Sequence, residues 1–252
     1  MALGGTPGLA ADMAVKAPPP PPVVDPGYNW TGFYAGLNLG GATHYATAND
    51  LNHYSGVPPG NYVTTWFSST KSVVTFGGQA GYNLQINNLV VGVEADINYI
   101  GAKTTFAPAL APQGINNCNG TCITSATNEL EWLATFRGRV GIPIQHFLIY
   151  GTGGLAVAQI SNSWGFGQGG SFSPSQFSVN ETRAGVVYGG GIEYAGWGHW
   201  IARVEGLYVD LGTTSAINPT INPTAVPPGT PPFTTAFKNT AAIGRVALSY
   251  KW

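Results

Sequence analysis

Apolar and polar side chains alternate with a period of two along most of the chain, and no apolar period of 3.6 is sustained, so the sequence predicts strands rather than helices. In 30–41 one face carries Phe33, Ala35, Leu37 and Leu39, and the other Gly32, Tyr34, Gly36, Asn38 and Gly40. The run 71–86 sets Val74, Phe76, Ala80, Tyr82 and Leu84 against Thr75, Gln79, Asn83 and Gln85. Asn87-Asn88 then predicts a tight hairpin turn, because Asn tolerates positive φ.

Charges fix the phase of the later runs. In 89–101, Val91, Val93, Ala95, Ile97 and Tyr99 oppose Glu94, Asp96 and Asn98. In 128–142, Leu130, Trp132, Ala134, Phe136, Val140 and Ile142 oppose Glu129, Glu131, Thr135, Arg137 and Arg139. In 183–195, Val186, Tyr188, Ile192 and Tyr194 oppose Arg183 and Glu193; in 200–212, Ala202, Val204 and Tyr208 oppose Arg203 and Glu205. The last run, 237–252, sets Val246, Leu248, Tyr250 and Trp252 against Arg245, Ser249 and Lys251. The uncharged fifth run, 147–158, has no readable phase.

Eight strands result, joined by short turns at 87–88, 143–146 and 196–199 and by long connections at 42–70, 102–127, 159–182 and 213–236. The oily face of each phased strand is free of charge along its centre, the reverse of a water-facing barrel or sandwich. A lipid-facing flank must be so, since an ion at the bilayer midplane costs about 2 to 4 kcal/mol. The expected fold is all-β, an eight-stranded antiparallel up-and-down transmembrane barrel, closed because an open edge in lipid strands its backbone groups. Lys103, Asp210 and Lys238 fall on the oily flank, but far enough along their runs to lie at or beyond the far rim, since about 9 to 11 tilted residues cross the hydrocarbon. Interfacial aromatics are expected at the short-turn end (Trp30, Phe33, Tyr82, Tyr150, Tyr194, Trp197, Trp200, Tyr250, Trp252) and at the other end (Tyr99, Trp132, Tyr208, Phe237).

Composition agrees. Charged residues are 8% of the 252, against about 25% in ordinary soluble domains. A net charge of −1 leaves no electrostatic case for nucleic acid. No run of 18 apolar residues provides a helical span. Residues 1–16 read either as the tail of an export signal or as a flexible N-terminus, and 17–29 as a Pro-rich periplasmic linker before a barrel domain over 30–252.

The segments APPPPPVVDPGYNWTGFYAGLNLGG, GGQAGYNLQ, VVGVEADI, YGTGGLAVA, GGGIEY and VALSYKW resemble small outer-membrane β-barrels of alphaproteobacteria, the outer-membrane immunogenic or porin-family proteins. The resemblance implies export to the Gram-negative outer membrane, contact with its lipid, and assembly by the barrel machinery through a last-strand signal that Arg245, Tyr250 and Trp252 match. It also implies envelope integrity, host or surface contact through external loops and, in some relatives, haem binding; no cofactor is expected here from the residues themselves.

An eight-stranded interior is just wide enough for side chains to fill it. Glu94, Asp96, Glu129, Glu131, Glu193 and Glu205 would share it with Arg137, Arg139, Arg183, Arg203, Arg245 and Lys251, a network expected to plug the lumen, with a narrow ion path as the alternative. Catalytic patterns are poor: His44, His53, His146 and His199 fall in connections and turns. A lipid-modifying enzyme stays open as a second alternative, a metal held by His44, Asp50 and His53 is a bare possibility, and a soluble secreted sandwich is the remaining rival. Cys118 and Cys122 flank Asn119-Gly120 in a long connection, where a small-ring disulfide is expected in an oxidising exterior.

Overall fold

The computed structural model describes Met1 and residues 27–50, 67–110, 122–168, 177–217 and 234–252. Eight strands follow in order: β1 (Gly32–Asp50), β2 (Phe67–Ile86), β3 (Leu89–Leu110), β4 (Cys122–Ile144), β5 (Phe147–Gln168), β6 (Phe177–Trp197), β7 (Trp200–Ile217) and β8 (Thr234–Lys251). Each pairs antiparallel with the next, and β8 pairs with β1, from Tyr34 opposite Lys251 to Asp50 opposite Thr235, so no edge is left open. The tight turns have the expected chemistry, with Asn87 at φ 54, Gln145 at φ 54 and Gly198 at φ 65.

One flank of each strand is oily and faces outward. Phe33, Leu37 and Leu39 on β1, Val93 and Ile97 on β3, Phe136 and Val140 on β4, Val204 on β7 and Val246 and Leu248 on β8 are all exposed. Their neighbours Glu94, Asp96, Arg137, Arg203 and Arg245 are buried within the cylinder. The fifth strand acquires its phase from packing: Leu148, Tyr150, Ala156, Ala158 and Ile160 point in, while Phe147, Ile149 and Leu155 point out.

The strands run 18 to 23 residues, well past the crossing length, and so take in 42–50, 67–70, 102–110, 122–127, 159–168, 177–182, 213–217 and 234–236, where the alternation predicts connections. There the pattern inverts. Ser72, Lys103 and Thr182 are exposed, whereas Ile100, Ala102, Leu130, Ala158, Ile160, Val209, Leu211 and Ala241 are buried. The far end of the barrel therefore shows a polar surface over an apolar core, as a β-barrel in water does. An oily-out rule cannot recognise that stretch as strand.

The register shift between Tyr99 and Ala102, where Gly101 takes φ 59, leaves the inward parity of β3 unchanged, since Glu94, Asp96, Asn98, Ile100, Ala102 and Thr104 are all buried. On β4 the shift between Leu130 and Leu133 against β5 reverses the faces. An extra residue in one strand flips every side chain beyond it. Leu133, Thr135, Arg137 and Arg139 point inward below the bulge, but above it Leu130 and Asn128 do, which turns Glu129 outward.

Aromatic pairs ring both ends of the oily band. Phe33 meets Tyr82 at 4.6 Å, Trp200 meets Tyr250 at 5.3 Å and Tyr250 meets Trp252 at 5.4 Å near the short turns. At the other end Phe76 meets Tyr99 at 5.6 Å and Tyr188 meets Tyr208 at 5.4 Å. Two expected members of this ring are elsewhere: Trp30 and Tyr150 are buried with Val90, Leu148, Ala195 and Ile201 in the lumen at the short-turn end. Trp30 precedes β1, so strand parity does not govern it, and Tyr150 belongs to the strand whose phase had no charge to fix it.

Candidate functional site

Inward-facing positions of five strands bring four carboxylates and four guanidiniums together at mid-lumen. Glu94 and Asp96 come from β3, Arg137 and Arg139 from β4, Glu193 from β6, Arg203 and Glu205 from β7, and Arg245 from β8; all are buried. Arg203 lies 2.6 Å from Glu94 through one nitrogen and donates to Glu193 through Nε at 2.7 Å. Arg137 donates to Glu205 at 2.9 Å, to Asp96 at 2.7 Å and to Glu94 at 2.5 Å. Arg245 donates to Glu205 at 2.8 Å and to Asp96 at 3.1 Å, and Arg139 sits 2.8 Å from Glu193. Equal numbers of each sign leave the belt formally neutral, which a desolvated cluster requires.

Neutral side chains complete the carboxylates' coordination. The Tyr34 hydroxyl donates to Glu94 at 2.6 Å and accepts from Arg139 at 2.8 Å, the Tyr150 hydroxyl donates to Glu205 at 2.7 Å, and Thr135 donates to Asp96 at 2.7 Å. The Arg139 guanidinium also stacks 4.0 Å from the Tyr150 ring centroid. Room for such long groups comes from glycines across the strand pair: a Cβ on Gly154 would collide with the Arg137 backbone, and one on Gly81 with the Tyr34 ring. Above the belt, buried Ile100, Leu130, Leu133, Ile160, Val187, Leu207, Val209 and Ile243 fill the lumen with apolar side chains.

Four residues expected in this network lie apart from it. Glu129 is outside the barrel, 3.8 Å from exposed Lys103, because the β4 bulge reversed its face. Glu131 falls in the bulge itself and makes no ion pair with the belt among the described residues. Arg183 shares the belt residues' inward parity but sits nearer the far end, one-third exposed, paired with Glu181 at 2.9 Å. Lys251 points inward at the opposite end, donating to the carbonyls of Asn29 at 2.7 Å and Thr31 at 2.9 Å.

Of the last-strand signal, Arg245 belongs to the belt, while Tyr250 and Trp252 lie on the other flank of β8, with Trp252 exposed. Cys118 lies outside the described residues, and Cys122 opens β4. His53 also lies outside them; Asp50 ends β1, and buried His44 bonds Asn239 at 3.1 Å. No cluster of three metal-ligating side chains occurs among the described residues. Tyr34 and Tyr150 are the belt members that sequence reasoning passed over; the signal was the glycine paired against each, Gly81 and Gly191.

A closed antiparallel cylinder with an oily outer band, aromatic rings at both rims and ions sequestered inside is a transmembrane β-barrel. The family described as "Outer membrane protein beta-barrel domain" matches residues 8–226, and the chain belongs to that family. It is 30% identical over 223 residues to the 31 kDa outer-membrane immunogenic protein of Brucella melitensis, covering 86% of each chain. It is also 30% identical over 189 residues to the 22 kDa outer membrane protein of Rhizobium leguminosarum, covering 74% of this chain and 67% of that one. Among solved structures, the outer membrane protease OmpT of Escherichia coli matches with a TM-score of 0.46 and 10% identity, covering 88% of this chain and 97% of that one. The protein is an outer-membrane barrel; short turns face the periplasm in such barrels, and the extended strand ends stand on the exterior side.

Proposed function

We propose that this barrel is a structural and surface-presenting component of the outer membrane, important for envelope integrity, whose lumen passes no steady solute flux. One observation carries the reading: Arg203 of β7 reaches Glu94 of β3 at 2.6 Å, so the charge belt spans the lumen instead of lining a path along its wall. The apolar packing of Leu133, Val187, Leu207 and Ile243 above it supports the same conclusion, because an ion would have to shed its hydration to pass.

The polar outer surface of the extended strands carries the connections 51–66, 111–121, 169–176 and 218–233, and exterior presentation is the role we assign to that end. The Brucella relative's description as immunogenic supports it. The hydroxyls of Thr135, Tyr34 and Tyr150 donate to carboxylates that are held by guanidiniums in the buried belt, and we assign them a structural role with no catalytic step. The barrel assembly machinery is the partner proposed for the outward aromatics Tyr250 and Trp252, and outer-membrane lipid for the oily band.

Single-channel recording on purified, refolded protein in planar bilayers tests this reading. A closed lumen gives no steady conductance above the bare bilayer; a stable conductance with defined unit size would establish the rival function, a small passive porin.

A further inference from the structure

The residues preceding β1 fold back under the barrel. Trp30 is fully buried, 0% exposed, among Val90, Leu148, Tyr150, Ala195 and Ile201, with the Tyr28 ring edge-on at 5.0 Å. The Trp30 N–H donates to Gln85 Oε1 at 2.9 Å, and the Gln85 N–H donates to Thr31 Oγ1 at 3.0 Å. Tyr28 N–H donates to the Gln145 carbonyl at 3.3 Å. Lys251 holds the Asn29 and Thr31 carbonyls, and its ammonium lies 5.0 Å from the Tyr28 ring centroid. The segment 27–31 thus fills the periplasmic mouth, touching the end of β2, the β4–β5 turn and the last strand.

Its attachment differs in kind from that of the strands. It adds no rung to the ladder: β1 starts at Gly32, whose φ of 141 turns the chain from the mouth into the wall, and a Cβ there would sit 2.8 Å from the Trp252 carbonyl. Docking also leaves the Trp30 Nε1–H and the Tyr28 hydroxyl buried without partners among the described residues. Each such group costs about 1 to 3 kcal/mol, and each regains water if the segment swings out into the periplasm. The apolar contacts of the indole and the Lys251 bonds oppose that release.

We propose that residues 27–31 are a cork that docks in and leaves the periplasmic mouth independently of the barrel, hinged at Gly32 and latched by Lys251. Undocked, it uncovers an apolar vestibule walled by Val90, Leu148 and Ile201 and floored by Tyr150, beneath the charge belt. The proposal does not depend on whether the belt blocks conduction.

Hydrogen exchange read by mass spectrometry on the full chain in lipid nanodiscs tests it. The amides of Tyr28 and Trp30 should exchange at least about tenfold faster than the ladder amides of 34–39, as a locally opening unit does. Lys251→Met and Gln85→Ala should each accelerate exchange in 27–31 by about tenfold again, with protection of 34–39 and the mobility of unboiled protein on gels unchanged. The proposal is overturned if 27–31 exchanges as slowly as 34–39, if both variants loosen β1 along with the segment, or if neither variant alters it.

Discussion

Arg203 and Glu94 meet at 2.6 Å although their strands, β7 and β3, lie opposite each other in the eight-stranded ring. A contact across the full lumen forms only if the interior is as narrow as eight strands make it, and only if both residues face inward. Glu94 also accepts from Arg137 and Tyr34, so a single carboxylate joins strands β1, β3, β4 and β7. One neutralised carboxylate thus ties together strands from opposite sides of the barrel.

Removing one partner from such a cluster leaves the others buried and uncompensated. Glu94→Gln is expected to destabilise the folded barrel by about 3 to 5 kcal/mol, measured by urea unfolding in lipid vesicles. The double variant Glu94→Met with Arg203→Met should cost clearly less than the sum of its single variants, because it removes both members of a pair. Additive losses would mean that the two charges do not interact.

Glu129 provides the contrast. Its partner Lys103 is exposed, the pair is open at 3.8 Å, and both sit outside the barrel. Glu129→Gln should change stability by less than about 1 kcal/mol in the same assay. A loss approaching that of Glu94→Gln would return Glu129 to the interior and remove the β4 bulge.

The difference between these two glutamates marks how far the sequence could be read. Strand number, closure and the inward face of Glu94, Asp96, Arg137, Arg139, Glu193, Arg203 and Arg245 were all legible, because charges within an oily band can face only one way. Glu129 was not, because a bulge costs one residue and leaves no mark in a period-two count; the signal it did leave is Leu130 and Leu133, two buried leucines an odd number of residues apart. The inversion above the membrane was hidden for a related reason: polar-out, apolar-in strands in Ser- and Thr-rich sequence look like loop to a lipid-facing rule. A tryptophan such as Trp30 suits either an interface or a core, and only packing decides.

Glycines should report the two faces separately. Gly154→Ala, with its new methyl directed at the Phe136 carbonyl and the Arg137 backbone, should lower stability by more than about 2 kcal/mol or prevent folding. Gly206 and Gly244 have nothing within 4 Å of a Cβ, and Gly206→Ala or Gly244→Ala should be neutral or stabilising by up to about 1 kcal/mol. Heat modifiability on gels ranks the variants, and a stable Gly154→Ala barrel would contradict the packing described for Arg137.

Depth in the membrane should appear in arginine scanning. Val246→Arg, at the centre of the oily band of β8, should cost about 2 to 4 kcal/mol, while Ser72→Arg, on the polar outer surface of β2, should cost about 0 to 1 kcal/mol. Comparable penalties at the two sites would place Ser72 in hydrocarbon.

Sidedness is tested most directly by methyl NMR of the protein in nanodiscs doped with a spin label on the lipid acyl chains. Leucine and valine methyls of Val93, Val140, Leu155 and Leu248 should broaden, while those of Leu133, Leu148, Leu207 and Val187, equally apolar but inside the cylinder, should stay sharp. Broadening of the second set with the first left sharp would turn the barrel inside out and contradict the membrane assignment.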